Sequence, residues 1–182
     1  KNGNRHTFTK ANNEIKKSKK KHLLIIEDEK SLEQVIKFVL DDFKTREKNH
    51  YSKDGLSLAM STLQNFDIFS VQNLATFVKS GRIKVFAVIR GGIIFGASAL
   101  IEKDGRIAFI SAPKKKKKQT ILHQLLDCMV EERESATDSK LDILAFVGQV
   151  DKLTSVGFVK LFDTVLHQHH LKFVPMRFNY TQ

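Results

Sequence analysis

The chain has 182 residues, 41% of them hydrophobic and 28% charged, a balance that fits one globular domain and excludes a wholly disordered chain. Its single cysteine, Cys128, excludes an internal disulfide, and no apolar run approaches the roughly 18–20 residues of a helical membrane span. The net charge of +11 is concentrated: residues 1–22 hold eight Lys/Arg against one acid and Lys114–Lys118 add five lysines, so the remaining body is near neutral and a domain-wide basic surface is excluded.

Residues 1–22 are polar and lysine-rich, with no apolar centre of a signal peptide. They read as a basic flexible tail, either a solvated leader or an arm that contacts nucleic acid. A reducing compartment, the cytoplasm, is expected from the cysteine usage. Leu23–Ile26 is a short apolar run and predicts a strand. A helix is expected from about Ser31, taken as its N-cap, because Leu32, Val35, Ile36, Val39, Leu40 and Phe43 recur at helical spacing. Helices over Leu56–Leu63 and Val71–Lys79 follow, the latter ended by Gly81.

The pattern then changes period. Ile83–Ile89, Ile93–Ile101 and Arg106–Ala112 are β-rich runs separated by Gly91-Gly92 and Asp104-Gly105, which predicts an antiparallel meander. After Pro113 and the lysine run, Ile121, Leu122, Leu125, Leu126, Met129 and Val130 mark an amphipathic helix. Leu141–Val147 is the next strand. It is reached through that helix and is therefore parallel to the strand before it. A short helical turn at Asp151–Ser155 leads to Gly157, and Phe158–Leu166 with Leu171–Phe178 predict a final antiparallel pair. The fold class is α/β (α+β): residues 23–182 form one domain with a mixed, mostly antiparallel central sheet flanked by helices.

One segment conflicts with its surroundings. Five lysines precede the first turn of a helix, where the macrodipole and unpaired N–H groups are already positive. Such a conflict is resolved either by solvent and salt or by a bound anion, with phosphate as the natural candidate.

Three other features point less far. Leu23-Leu24-Ile25-Ile26-Glu27-Asp28-Glu29 resembles the opening of a response-regulator receiver domain, but Gln72 stands where the phospho-acceptor carboxylate would be, and two tight hairpins do not suit a purely parallel fold. His167, His169 and His170 have no carboxylate or cysteine partner at metal-ligand spacing and read as a polar hairpin tip, so no metal is assigned. Cys128 borders the apolar stripe of its helix and reads as an inert, buried thiol.

The strand Arg106–Ala112, then Pro113, the basic loop and the helix bearing Leu125-Leu126 resemble the central motif of the GCN5-related N-acetyltransferases (GNAT). The hairpin Val85-Phe86-Ala87-Val88 to Ile94-Phe95-Gly96-Ala97 resembles the two strands before that motif, and Leu141–Val147 with Val156-Gly157-Phe158 resembles the family's later strand and Gly-Phe segment. The resemblance spans about Leu23 to Phe178. It implies acetyl-CoA as acyl donor. The pantetheine arm would lie against the backbone at Ile110, Ser111 and Ala112, and the pyrophosphate at the loop and helix start formed by Lys117, Lys118, Gln119, Thr120, Ile121 and Leu122. Thr120 and Leu122 occupy the places of the family's two loop small residues, and Leu153 occupies that of its tyrosine acid. The implied function is transfer of an acetyl group to an amine of a small molecule or protein. The alternatives are a catalytically impaired binding or regulatory module of the same fold and a nucleic-acid-binding protein acting through residues 1–22.

Overall fold

The computed structural model describes residues 22–113 and 120–181. The expected tail up to residue 21 and the site residues Lys117, Lys118 and Gln119 lie outside the described residues, as does Gln182. The folded part begins one residue before the expected boundary, because His22 opens strand β1 (His22–Ile26) and pairs with Ile89.

Helix α1 (Glu29–Glu47) starts two residues before the expected Ser31. Its N-cap is Asp28, whose carboxylate accepts the Ser31 N–H at 3.0 Å. Ser31 is therefore the third residue of the first turn, and the carboxylate also suits the positive end of the helix. Leu32, Val35, Ile36, Val39 and Phe43 are buried along one stripe. Helix α2 (Lys53–Gln64) is capped by Ser52, whose hydroxyl accepts the Gly55 N–H at 3.0 Å. Helix α3 (Val71–Lys79) ends at Gly81, whose φ of +76° is open to glycine at little cost.

Strands β2 (Lys84–Arg90), β3 (Ile93–Ile101) and β4 (Arg106–Ser111) form the meander. Gly91 and Gly92, at φ +57° and +76°, join β2 to β3 as a two-residue turn whose positive φ values match the twist of a hairpin. A register shift leaves Ala108 as an extra residue on β4, between Phe109 (opposite Ala99) and Ile107 (opposite Leu100). Helix α4 (Thr120–Glu132) carries the chain to β5 (Lys140–Phe146), then come helix α5 (Val150–Ser155), β6 (Val159–Lys160), β7 (Leu166–Gln168) and β8 (Leu171–Asn179). The sheet order is β1-β2-β3-β4-β5-β8-β6, with β7 also on β8. Every pair is antiparallel except β4–β5.

The expected strand Phe158–Leu166 is interrupted. Leu161 donates its N–H to Pro175 O at 2.9 Å, but Pro175, in the middle of β8, has no N–H to return the bond. The pairing stops there and resumes at Leu166, opposite Phe173.

The sheet has a core on each face. Leu32, Val35, Phe43, Ala59, Leu63 and Leu74 from α1–α3 cover one. Leu122, Leu125, Leu126 and Met129 from α4, with Val150 and Leu153 from α5, cover the other. Each fully buried leucine contributes about 1.5–3 kcal/mol. Gly96 sets the distance between α4 and the sheet: a Cβ there would run into the Ile121 side chain and lie 3.3 Å from Leu125 Cδ1. At the far end of α4, Arg133 is buried and bonds Glu102 O and the Asp138 carboxylate. Gly105, at φ +62°, passes over that guanidinium.

Candidate active site

The two parallel strands meet only at Arg106 opposite Asp142 and Ile107 opposite Ile143. Beyond these two pairs β4 continues to Ser111 and β5 to Phe146 without pairing to each other. Antiparallel neighbours hold each strand on its outer side, β3 on β4 and β8 on β5. The sheet therefore has an opening at the carboxyl ends of its two parallel strands, where the backbone of each is not committed to the other strand.

Side chains from the segment after β5 reach into this opening. Gln149 Nε2 donates to Ile110 O at 2.6 Å, and its Oε1 accepts the Phe146 N–H at 3.1 Å. The Lys152 ammonium donates to Ala112 O. Carbonyls two residues apart on a strand face the same way, so Ile110 and Ala112 both present theirs to the side from which β5 has diverged. The end of α1 closes the base: Glu47, fully buried, accepts the Gly148 N–H at 2.8 Å and the Arg46 Nε–H at 2.7 Å. Arg46 also pairs with Asp42 and lies 6.0 Å from the centre of the Phe146 ring.

Tyr51, Ser52 and Gly55 at the start of α2 and the β7–β8 hairpin from His167 to Lys172 line an open cavity of about 350 Å³. Two long-range bonds fix it, Lys172 N to Tyr51 Oη at 2.8 Å and Lys172 Nζ to His50 O at 2.7 Å. Burial holds the Tyr51 hydroxyl above its ordinary pKa, against the Lys172 N–H bond that lowers it, so the phenol stays protonated and can donate. The hairpin turn is His169-His170, at φ +50° and +67°. An aromatic group connects cavity and opening. Phe146, whose N–H Gln149 holds, packs against Phe43 at 4.7 Å and Phe173 at 5.3 Å between ring centres, and Phe43 lies 6.2 Å from Tyr51.

Residues 47–180 match the family model of the acetyltransferase (GNAT) domain. The chain belongs to that family. It is an N-acetyltransferase, and acetyl-CoA is the acyl donor of its family. Among solved structures, this acetyltransferase is similar to a GCN5-related N-acetyltransferase from Rhodopseudomonas palustris (11% identity, TM-score 0.67, covering 87% of this chain and 95% of that one). It is also similar to the PaiA N-acetyltransferase of Thermoplasma acidophilum in complex with coenzyme A (14%, 0.60, 87% and 99%). A GNAT acetyltransferase from Staphylococcus aureus Mu50 matches at 12% identity and a TM-score of 0.55, over 87% and 99%. No curated protein sequence matches the chain.

Of the residues expected at the donor site, Ile110, Ser111 and Ala112 lie along the opening, with Ile110 and Ser111 buried. Thr120 begins α4 and Ile121 is half-buried in its first turn. Leu122 turns into the core beneath α4, 2% exposed, so its side chain does not stand over the helix start. Leu153 is likewise in the core, at 1%, and has no proton to give. Gln149, Lys152 and Glu47 are absent from the expectations. The sequence marks Gln149 only as the one polar side chain in the run Ile143–Val150. Cys128 is half-buried, and burial raises its thiol to about 11, Glu132 and Glu131 adding to the shift. It is protonated at neutral pH and takes no part in the site. Among the described residues no cluster of His, Cys, Asp and Glu is arranged to hold a metal ion, and no helix is long and apolar enough to cross a membrane.

Proposed function

We propose that this acetyltransferase binds acetyl-CoA along the free edge of β4 and passes the acetyl group to an amine entering from the Tyr51–hairpin side. The observation that carries the reading is the opening itself: β4 and β5 separate after Ile107 and Ile143, and the backbone of Ile110 and Ala112 faces the gap. The residues present fit such a donor. The β4 edge suits amide groups of an extended arm, α4 is seated close to the sheet by Gly96, and Leu122 is out of the way of the helix start. The N–H groups of that first turn, with Thr120 and Ile121, would receive phosphate, and Lys117, Lys118 and Gln119 would add charge and bonds.

The donor supplies a thioester carbonyl. The neutral acceptor nitrogen attacks it with its lone pair, a C–N bond forms, the C–S bond breaks with its electron pair leaving on sulfur, and the proton that the nitrogen sheds in becoming an amide passes to solvent or to the departing thiolate. Backbone donors on the open edge of β4 offset charge on the carbonyl oxygen. With Leu153 in the core, Lys152 takes the place of the missing tyrosine: its ammonium, beside Ala112 O, is a proton-bearing group at this end of β4 and would offset the thiolate charge. The cavity between Tyr51 and the histidine hairpin would hold the acceptor. It is lined by hydrogen-bond donors, and none of its described lining residues is a carboxylate, which favours an amine that also carries an acidic or strongly polar group.

Isothermal titration with acetyl-CoA, followed by thiol release over a panel of amines, tests the reading. Binding and amine-dependent thiol release are expected. Lys152→Ala should lower kcat with little change in donor affinity. No heat of binding, or binding without release on any amine class, would refute transfer at this site.

A further inference from the structure

We infer that Gln149 is a strut that holds the donor opening apart, and so is a positioning residue for acetyl-CoA binding. The inference rests on the donor reading above.

Where two strands part, each loses its partner's hydrogen bonds, and buried backbone groups left without partners are costly. Among the groups at risk in this opening are a carbonyl on β4, Ile110 O, and an N–H on β5, Phe146 N. One acceptor and one donor must be satisfied across a gap too wide for direct pairing. A primary amide can do both at once. Gln149 does so from a buried position, 7% exposed, with Nε2 on Ile110 O at 2.6 Å and Oε1 on Phe146 N at 3.1 Å. Its orientation is fixed by the partners, since a flipped amide would set oxygen against oxygen and N–H against N–H. The rung has a fixed length, so it sets the separation of the strand ends. Gln149 is itself held in place, because the preceding Gly148 N–H is anchored to the buried Glu47 carboxylate at 2.8 Å.

A strut and a plug differ in sign. If Gln149 only filled the opening and competed with the donor for Ile110 O, removing it would tighten donor binding. As a strut, removing it lets the strand ends close or drift, and binding weakens.

The test compares wild type with Gln149→Ala, Gln149→Asn and Gln149→Glu. Coenzyme A affinity is measured by titration calorimetry, and exchange of the Phe146 amide by NMR. Gln149→Ala should weaken coenzyme A binding by about tenfold and speed exchange at Phe146. Gln149→Asn, one methylene shorter, cannot reach both strands and should behave like Gln149→Ala. Gln149→Glu is the decisive variant. Ionised, its carboxylate faces the Ile110 carbonyl with no proton to donate. Protonated, the acid offers one O–H and one C=O in the geometry of the amide. Its affinity relative to wild type at the same pH should be low near about pH 8 and recover towards about pH 5, while the Phe146 N–H keeps a carboxyl acceptor at both. A residue with only a general packing role gives no such pH-dependent rescue. Tighter binding by Gln149→Ala, unchanged affinity in all three variants, or no recovery for Gln149→Glu would overturn the strut. If wild type binds no coenzyme A, the donor reading fails, and Phe146 exchange still decides whether Gln149 bridges the strands.

Discussion

Gly148 and Glu47 should be coupled strongly enough for a double-mutant cycle to show it. Gly148 carries no left-handed φ, so alanine there meets no backbone penalty; the obstacle is space. A Cβ at Gly148 would overlap the Glu47 carboxylate and lie 3.1 Å from Arg46 Cγ. Glu47 cannot swing aside, since it is fully buried and bonded to both Gly148 N and Arg46 Nε. Gly148→Ala should therefore cost about 2–3 kcal/mol through overpacking and a broken bond. Glu47→Ala strands the Gly148 N–H and removes one of two acid partners of Arg46, which keeps Asp42. That loss is smaller than for a wholly abandoned buried charge, and about 2–4 kcal/mol is expected. In the double variant the new methyl enters the space left by Glu47, and alanine also narrows the unfolded ensemble by about 0.4–1 kcal/mol. Glu47→Ala/Gly148→Ala should thus be no less stable than Glu47→Ala alone, a coupling of about 2 kcal/mol or more. The chain has no tryptophan, so urea unfolding is followed by far-ultraviolet circular dichroism. Costs that add to within about 0.5 kcal/mol would refute the packing argument.

Other expectations concern regions away from this contact. Gly105→Ala places a Cβ 2.6 Å from Arg133 Cζ at φ +62°, and should lower stability by about 2–4 kcal/mol in thermal unfolding, left-handed strain and a displaced guanidinium together. Replacing the hairpin turn His169-His170 by Asn-Gly relieves two side chains at positive φ; melting should rise by about 2–4 °C per kcal/mol gained, while KM for the acceptor rises and KM for acetyl-CoA does not. The Arg177 bond, with Lys140 adding and burial opposing, holds the Asp142 carboxyl below its ordinary range. A lowered folded pKa gives stability that is complete above about pH 4 and lost as pH falls through the lower folded value. Arg177→Met should flatten that acid limb in a melting-temperature profile, and an unchanged profile would count against the pair.

Much of this architecture follows from period and punctuation. The α1 stripe, the β2–β3 turn at Gly91-Gly92 and the parallel β4–β5 step are all consequences of local pattern and connection length. The cap of α1 differs from the expected Ser31 because Asp28 and Ser31 are both good caps, and only the bond to Ser31 N decides between them. The break opposite Pro175 has a sequence signal, since a proline cannot donate from a strand interior. The site was less legible. Ile110 to Ala112 sit at the end of a strand that local pattern predicts, but Gln149, Glu47 and Tyr51 bond partners 39, 101 and 121 residues away. The first of those contacts spans the gap between two diverging strands and the other two join distant elements, and no local periodicity encodes either.

The two rungs between β4 and β5 make the middle of this sheet unlike its flanks. A continuous ladder of backbone bonds is nearly indifferent to side-chain identity, because every residue but proline supplies the same N–H and C=O. Across the centre of this molecule that indifference ends. The halves before and after α4 are joined by an amide, a carboxylate, a phenol and an ammonium. Single substitutions at those positions can therefore shift one half against the other while leaving the internal pairing of each intact, so the dimensions of the cleft are open to gradual change by mutation without rebuilding the fold.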